Sequence, residues 1–257
     1  EQPHQCQAAL QALLAQRVEA LLVNVPLDDP HAEQLRALAS PVPVLFLDVS
    51  PSAQVNSLVF NAEEGARLGV EHLLSLGHQH IALLSGPESS VSARARLAGW
   101  QATLAQAGLD AVAVEYGDWS AASGYEKGHM LLSGTVLPEA ILVANDQMAL
   151  GVMRACAEKG VAIPGQLSVV GFDDTADSAW FSPPLTTVRQ AFRQAGERSV
   201  TWLLDPLQGD ACWQVQLPVT LVIRHSTARR HPQQAEQEDL AEQLRRLALL
   251  AEQLARK

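Results

Sequence analysis

Cysteine is scarce in this chain: Cys6, Cys156 and Cys212 are odd in number and far apart, with no CxxC pair and no zinc-ligand spacing. That excludes a disulfide-stapled scaffold and a zinc fold, and reads as three reduced thiols in a cytosolic protein. Positive charge is also short. Lys and Arg number 18 against 28 Asp and Glu, a formal net charge of -10, whereas wrapping nucleic acid needs clustered cations that displace counterions. No apolar run approaches the ~20 residues that span a bilayer. A Gly-x-Gly-x-x-Gly turn, a phosphate loop, a Gly-x-Ser-x-Gly elbow and a His-Glu-x-x-His pair are all missing, so the common nucleotide and hydrolase signatures do not apply. No internal repeat keeps a constant period.

What is present is a regular α/β alternation. With 257 residues, 47% hydrophobic and 18% charged, the chain can bury a real core in one large or two medium domains. Apolar runs at 20–25, 44–49, 57–60, 80–86, 112–117, 140–145 and 167–172 read as strands, with late strands near 213–218 and 220–225. Helical stretches fall near 5–20, 31–39, 61–76, 92–107, 121–133 and 147–159, and Pro183–Pro184 break the chain before another helix at about 191–204. Strands separated by helices of this length indicate βαβ units and a parallel sheet. Crossings near Asn61, Gln190 and Val219 suggest two halves with a cleft between them.

The candidate site lies where strands hand over to helices. Asp48 follows VLFL, Asn145 follows ILVA and Asp173 follows LSVVGF, with Arg96 in the segment SARARLAGW. In an open parallel α/β sheet those carboxyl-terminal ends are where ligands bind. Two acids, an amide and an arginine suit a neutral, hydroxyl-rich ligand better than a phosphate, so the chain reads as a sugar binder. Asp48 is expected to act with Ser50, Asp146 to cap helix 147–159 while Asn145 faces the ligand, and Asp174 to cap or bond backbone. Trp119 offers a platform for the C–H face of a pyranose, Asn24 lies at a strand end, and Arg94 reads as structural. His78 and His80 flank Gln79 without a metal-site pattern, and no cofactor or metal is implied.

The segments LGHQHIALLSG (76–86), AILVANDQMALGVMRA (140–155), LSVVGFDD (167–174) and PPLTTVRQ (183–190), in this order, resemble the signature segments of the lactose/galactose repressor family. The resemblance implies a periplasmic-binding-protein-like core of two parallel-sheet subdomains joined by crossovers: 1–61 with 191–219, and 62–190 with 220–228. It matches Asp48, Arg96, Asn145, Asp173 and Gln190 to polar inducer contacts and Phe60, Trp119 and Phe192 to apolar ones. It places a dimer surface near Leu150 and Phe181. A sugar effector and, through an N-terminal headpiece, operator DNA are the implied partners. The chain opens on Glu1 rather than Met and reads as a fragment without that headpiece, or the first strand, helix and strand of the first subdomain. A periplasmic receptor for transport or chemotaxis shares the fold and ligand class. An enzyme is not expected, because a glycosidase needs a defined carboxylate pair that no motif here marks.

The tail weighs for a regulator. After a polar linker (229–238), residues 239–257 carry Leu240, Leu244, Leu247, Ala251 and Leu254 at steps of 4, 3, 4 and 3, a heptad seam. Asp239 with Glu242 resembles a capping box, and so short a helix needs partners to persist. In the resembled family such a helix joins two dimers into a tetramer, so a homodimer or homotetramer is expected.

Overall fold

The computed structural model describes residues 3–134, 137–205 and 212–230. Along the chain run α1 (Pro3–Ala15), β1 (Leu21–Val23), α2 (Asp29–Ala39), β2 (Val44–Phe46), β3 (Ser57–Phe60), α3 (Ala62–Ser75), β4 (Ile81–Ser85) and α4 (Val91–Gln106). Then come β5 (Ala113–Tyr116), α5 (Ala121–Leu131), β6 (Ala140–Val143), α6 (Asp146–Glu158), β7 (Ser168–Asp173), a 3-10 turn (Ser178–Trp180), β8 (Thr186–Gln190), α7 (Phe192–Leu204), β9 (Gln214–Leu217) and β10 (Val219–Val222).

The helices begin where short polar side chains can accept from their first free N–H groups. Asp28, Asn61, Ser90, Ser120 and Asn145 each do so, accepting from the N–H groups of His31, Glu64, Ala93, Ser123 and Met148 respectively. At the end of α3, Gly77 at φ 90° lets the chain reverse, and its N–H donates to Leu74 O while that of His78 donates to Leu73 O.

Two sheets result. One has the order β1-β2-β3-β9, with every pair parallel. The other has the order β10-β8-β7-β6-β4-β5, parallel except at its β10 edge. The chain passes between them after Phe60, after Gln190 and at Pro218, so three short connections tie the two bodies. In β6 each of Ala140, Ile141, Leu142 and Val143 is at most 1% exposed. Burying each larger aliphatic chain stabilises the fold by about 1.5–3 kcal/mol, and helices on both sheet faces explain why no polar alternation is seen. The larger core joins this sheet to Trp100, Leu104, Met148 and Cys156, while Leu45, Leu58, Trp202 and Leu217 form a core on one face of the smaller sheet.

Two expectations need correction. The segment after Pro183–Pro184 is not a plain break: Thr186–Gln190 form a strand, parallel to β7 and antiparallel to β10, so the second sheet is not wholly parallel. The prolines stop two residues short of it, and the β-branched Thr187 and Val188 then pair on both sides. The first helix stops at Ala15 rather than running to Ala20, with Arg17 turning the chain at φ 57°.

Candidate functional site

A cavity of about 770 Å³ lies between the carboxyl-terminal strand ends of the two sheets. Asn24, Asp48, Phe60, Arg96, Trp119, Asn145, Asp173, Gln190 and Phe192 all line it. The smaller sheet contributes Asn24 beyond β1, Asp48 beyond β2 and Phe60 at the end of β3. The larger contributes Asn145 beyond β6, Asp173 at the end of β7 and Gln190 at the end of β8. Residues that the chain spreads over more than 160 positions converge because parallel strands all end on one side.

Arg96 is the electrostatic centre. It reaches in from α4, is 6% exposed, donates to the carbonyl of Ala144 and faces Asp173 across 3.7 Å. Its guanidinium lies 3.9 Å over the Phe172 ring and 5.6 Å from the Trp119 ring centroid. Such stacking is a geometry that guanidinium accepts more readily than ammonium. Burial pulls its proton affinity down, and Asp173, Asp48 and Asp146 oppose that. Its Nε is buried with no partner among the described residues. A hydroxyl acceptor from a ligand would complete it.

Both cleft acids hold their protons more tightly than an ordinary carboxylate. Burial raises Asp173 to about 7, with Arg96 working against the shift and Asp146 adding to it. Asp48 is raised as well, because burial outweighs Arg96 and the N–H and hydroxyl of Ser92. Ser92, not Ser50, is therefore its partner; Ser50 bonds Ser52 instead.

Asn145 is both cap and cavity wall. Its Oδ1 accepts from Met148 N at 2.8 Å and its Nδ2 donates to Trp119 O at 3.0 Å. Only half of the expected division of labour holds: Asn145 lines the cavity but also caps α6, while Asp146, expected as the cap, is fully buried and bonded to Thr175, Ser178 and Thr187. Asp174 is corrected too. It pairs with Arg189 and Arg224, each at 2.6 Å, rather than capping anything.

The aromatic wall has two parts. Phe60, just before the first crossing, and Phe192, just after the second, meet edge to face at 5.3 Å. Trp119 sits at φ 76°, after Asp118, whose carboxylate accepts from the Ser120 N–H and hydroxyl. Its ring lies flat on Gly86, where a Cβ would come within 2.4 Å of it, so only glycine leaves room for the indole. Arg94 bonds the carbonyl of Glu88 and is absent from the cavity lining.

Sequence reasoning missed Ser90, Ser92, Glu63 and Gln216, which also line the cavity. Ser90 and Ser92 could have been found, since SSVS opens the helix that carries Arg96 and helix N-termini present free N–H groups. Glu63 and Gln216 carry no such local signal. Leu150 is 40% exposed on α6, but Phe181 is 9% exposed and packs in the core, leaving its neighbour Trp180 as the 86% exposed aromatic. His78 bonds the carbonyl of Ala228 and the Ser168 hydroxyl, and His80 bonds Glu139. Leu240, Leu244, Leu247 and Leu254 lie outside the described residues.

Two α/β bodies joined by three connections, with a polar cavity between them, define a periplasmic binding protein-like domain, and the family of that description matches residues 70–227. The lactose operon repressor of Escherichia coli (strain K12) is 51% identical over 244 residues, covering 95% of this chain and 68% of that protein. The crystal structure of the lac repressor dimer bound to operator and the anti-inducer ONPF aligns with a TM-score of 0.84 at 49% identity, covering 89% of this chain and 80% of that one. A dimeric lac repressor with an 11-residue C-terminal deletion aligns at 0.87 and 50% identity, over 90% and 85% of the two chains. The chain belongs to the lactose repressor family of transcriptional regulators. Its relatives are repressors rather than enzymes, which sets the transport-receptor alternative aside.

Proposed function

We propose that this chain is the sugar-sensing and assembly core of a cytoplasmic repressor, binding a galactoside-type effector between its two sheet bodies. The observation that carries this reading is the convergence of Asp48, Arg96, Asn145, Asp173 and Gln190, from both sheets, on one cavity with Phe60, Trp119 and Phe192. Carboxylates accept from sugar hydroxyls, guanidinium and amide groups donate back, and the aromatic rings cover the C–H face. An epimer that leaves one buried group unpaired loses about 1–3 kcal/mol, which supplies the discrimination.

The two bodies correspond to residues 1–61 with 191–219 and 62–190 with 220–228, followed by a linker at 229–238 and an oligomerising helix at 239–257. A ligand that touches both bodies favours the arrangement in which its contacts are complete. Operator affinity then changes only if the DNA-binding form prefers a different arrangement, and the coupling is reciprocal. DNA is contacted through a headpiece preceding this core, and the protein works as a homodimer or homotetramer. In this reading the sugar is bound rather than hydrolysed, in keeping with relatives that are repressors.

Titration calorimetry with paired galactosides and glucosides tests the reading. Galactosides should bind at least about tenfold more tightly, and Arg96→Ala should abolish the difference. Equal or absent binding of both series would exclude the sugar-sensing role.

A further inference from the structure

Asp146 is fully buried and does not line the cavity, yet it stands directly behind it. Its Oδ2 accepts from the Thr175 N–H at 2.9 Å and from the Ser178 hydroxyl, and its Oδ1 accepts from the Thr187 hydroxyl at 2.6 Å. These partners belong to different elements. Thr175 follows Asp173 by two residues, Thr187 lies on β8 three residues before Gln190, and Asp146 itself follows Asn145. One carboxylate thus ties together the three strand ends that present Asn145, Asp173 and Gln190.

The surrounding packing is shaped for it. A Cβ at Gly171 would sit 2.3 Å from Asp146 Oδ1 and 2.8 Å from Leu185, so glycine there leaves the space the carboxylate fills. Burying a carboxylate costs far more than any helix-capping role repays, and helix capping is already done by Asn145. Asp173 meanwhile holds φ 117°, a conformation that L side chains rarely adopt and that neighbouring contacts must maintain.

We propose that Asp146 is a positioning residue for the ligand site: its buried carboxylate fixes Asn145, Asp173 and Gln190 relative to one another and repels a negative charge on Asp173. The charged groups around this pair are Arg96 from α4, which attracts both, Asp48 across the cavity, which attracts Arg96, and Asp174, which repels Asp146 and is itself paired with Arg189 and Arg224. Burial raises both Asp146 and Asp173, and each lies in the field of the same guanidinium. Removing the charge at Asp146 therefore makes Asp173 easier to ionise, while removing its hydrogen bonds loosens the site. The inference rests on the sugar-sensing reading for its consequence, but not for its measurement.

The experiment is a carboxyl-carbon NMR titration of Asp173 in the full chain, in the parent and in Asp146→Asn, with galactoside affinity measured at pH 8.5. In Asp146→Asn the Asp173 midpoint should fall by about one pH unit, and affinity should drop at least about tenfold. Thr187→Val should weaken affinity in the same direction, while Thr187→Ser, which keeps the hydroxyl, should restore it. An unchanged Asp173 midpoint, or equal affinities for Thr187→Val and Thr187→Ser, would overturn the proposal. If the parent binds no galactoside, the sugar-sensing reading fails and the NMR midpoint alone decides this one. Should Asp146→Asn not fold, the Thr187 pair decides it.

Discussion

The side-chain amide of Asn145 donates to the backbone carbonyl of Trp119 across 3.0 Å, joining the start of α6 to the start of α5. The same two helices pack at backbone distance: a Cβ at Gly124 would lie 2.2 Å from Met148 O, and one at Gly151 would lie 2.0 Å from Ala121 O. Two walls of the cavity thus move as one piece, and the outer face of that piece carries Leu150. A ligand that touches Asn145 and Trp119 acts on a rigid helix pair rather than on loops.

Substituting Gly151 tests that rigidity. Gly151→Ala should cost about 2–4 kcal/mol in urea-induced unfolding, because the added methyl meets backbone atoms that cannot rotate away. A change below 0.5 kcal/mol would show that the helices separate freely.

Asp173 should trade stability for function. Its folded proton affinity, at about 7, lies above the ordinary 3.8, so the native state binds more protons than the unfolded chain between those values. Stability from this group is present at low pH and is lost as pH rises through 7. Asp173→Asn should therefore melt several degrees higher than the parent at pH 8, with little difference at pH 4, while galactoside affinity falls at least about tenfold. Differential scanning calorimetry at the two pH values checks the first part. A variant less stable at pH 8 would mean that the Arg96 contact outweighs burial.

The thiols should separate into two classes. Burial pushes Cys156 up to about 12, whereas Cys6 and Cys212 are partly exposed. Iodoacetamide at pH 8 should label Cys6 and Cys212 in the native protein and Cys156 only in denaturant, since the thiolate is the nucleophile. Mass spectrometry of the labelled peptides reads this out directly, and native labelling of Cys156 would contradict its burial.

Assembly should depend on two separate surfaces. Leu150→Arg places a charge on the exposed face of α6 and should give monomers in sedimentation velocity if that face is the dimer contact. Truncation after Gln237 removes the heptad segment and should convert tetramers to dimers without loss of sugar binding. Phe181→Ala is the informative contrast: it should lower stability through a core cavity, because that ring is 9% exposed within the chain.

The order of strands and helices and the polar strand ends were legible in the sequence because each rests on contacts within a few residues. Asp48, Asn145 and Asp173 follow apolar runs that read as buried strands, whereas the caps Ser90, Ser120 and Asn61 emerged only from the structure. Tertiary structure decided what depends on residues far apart. Thr186–Gln190 become a strand because β7 and β10 pair with them on both sides, and Asp174 becomes an ion-pair centre because Arg224 arrives 50 residues later. Asn145 and Asp146 are adjacent acceptors at one helix start, and the local pattern allows either to cap. The hydroxyls of Ser178 and Thr187 and the space at Gly171 draw Asp146 inward, since a buried carboxylate survives only where such donors surround it, and that leaves the cap and the cavity wall to Asn145.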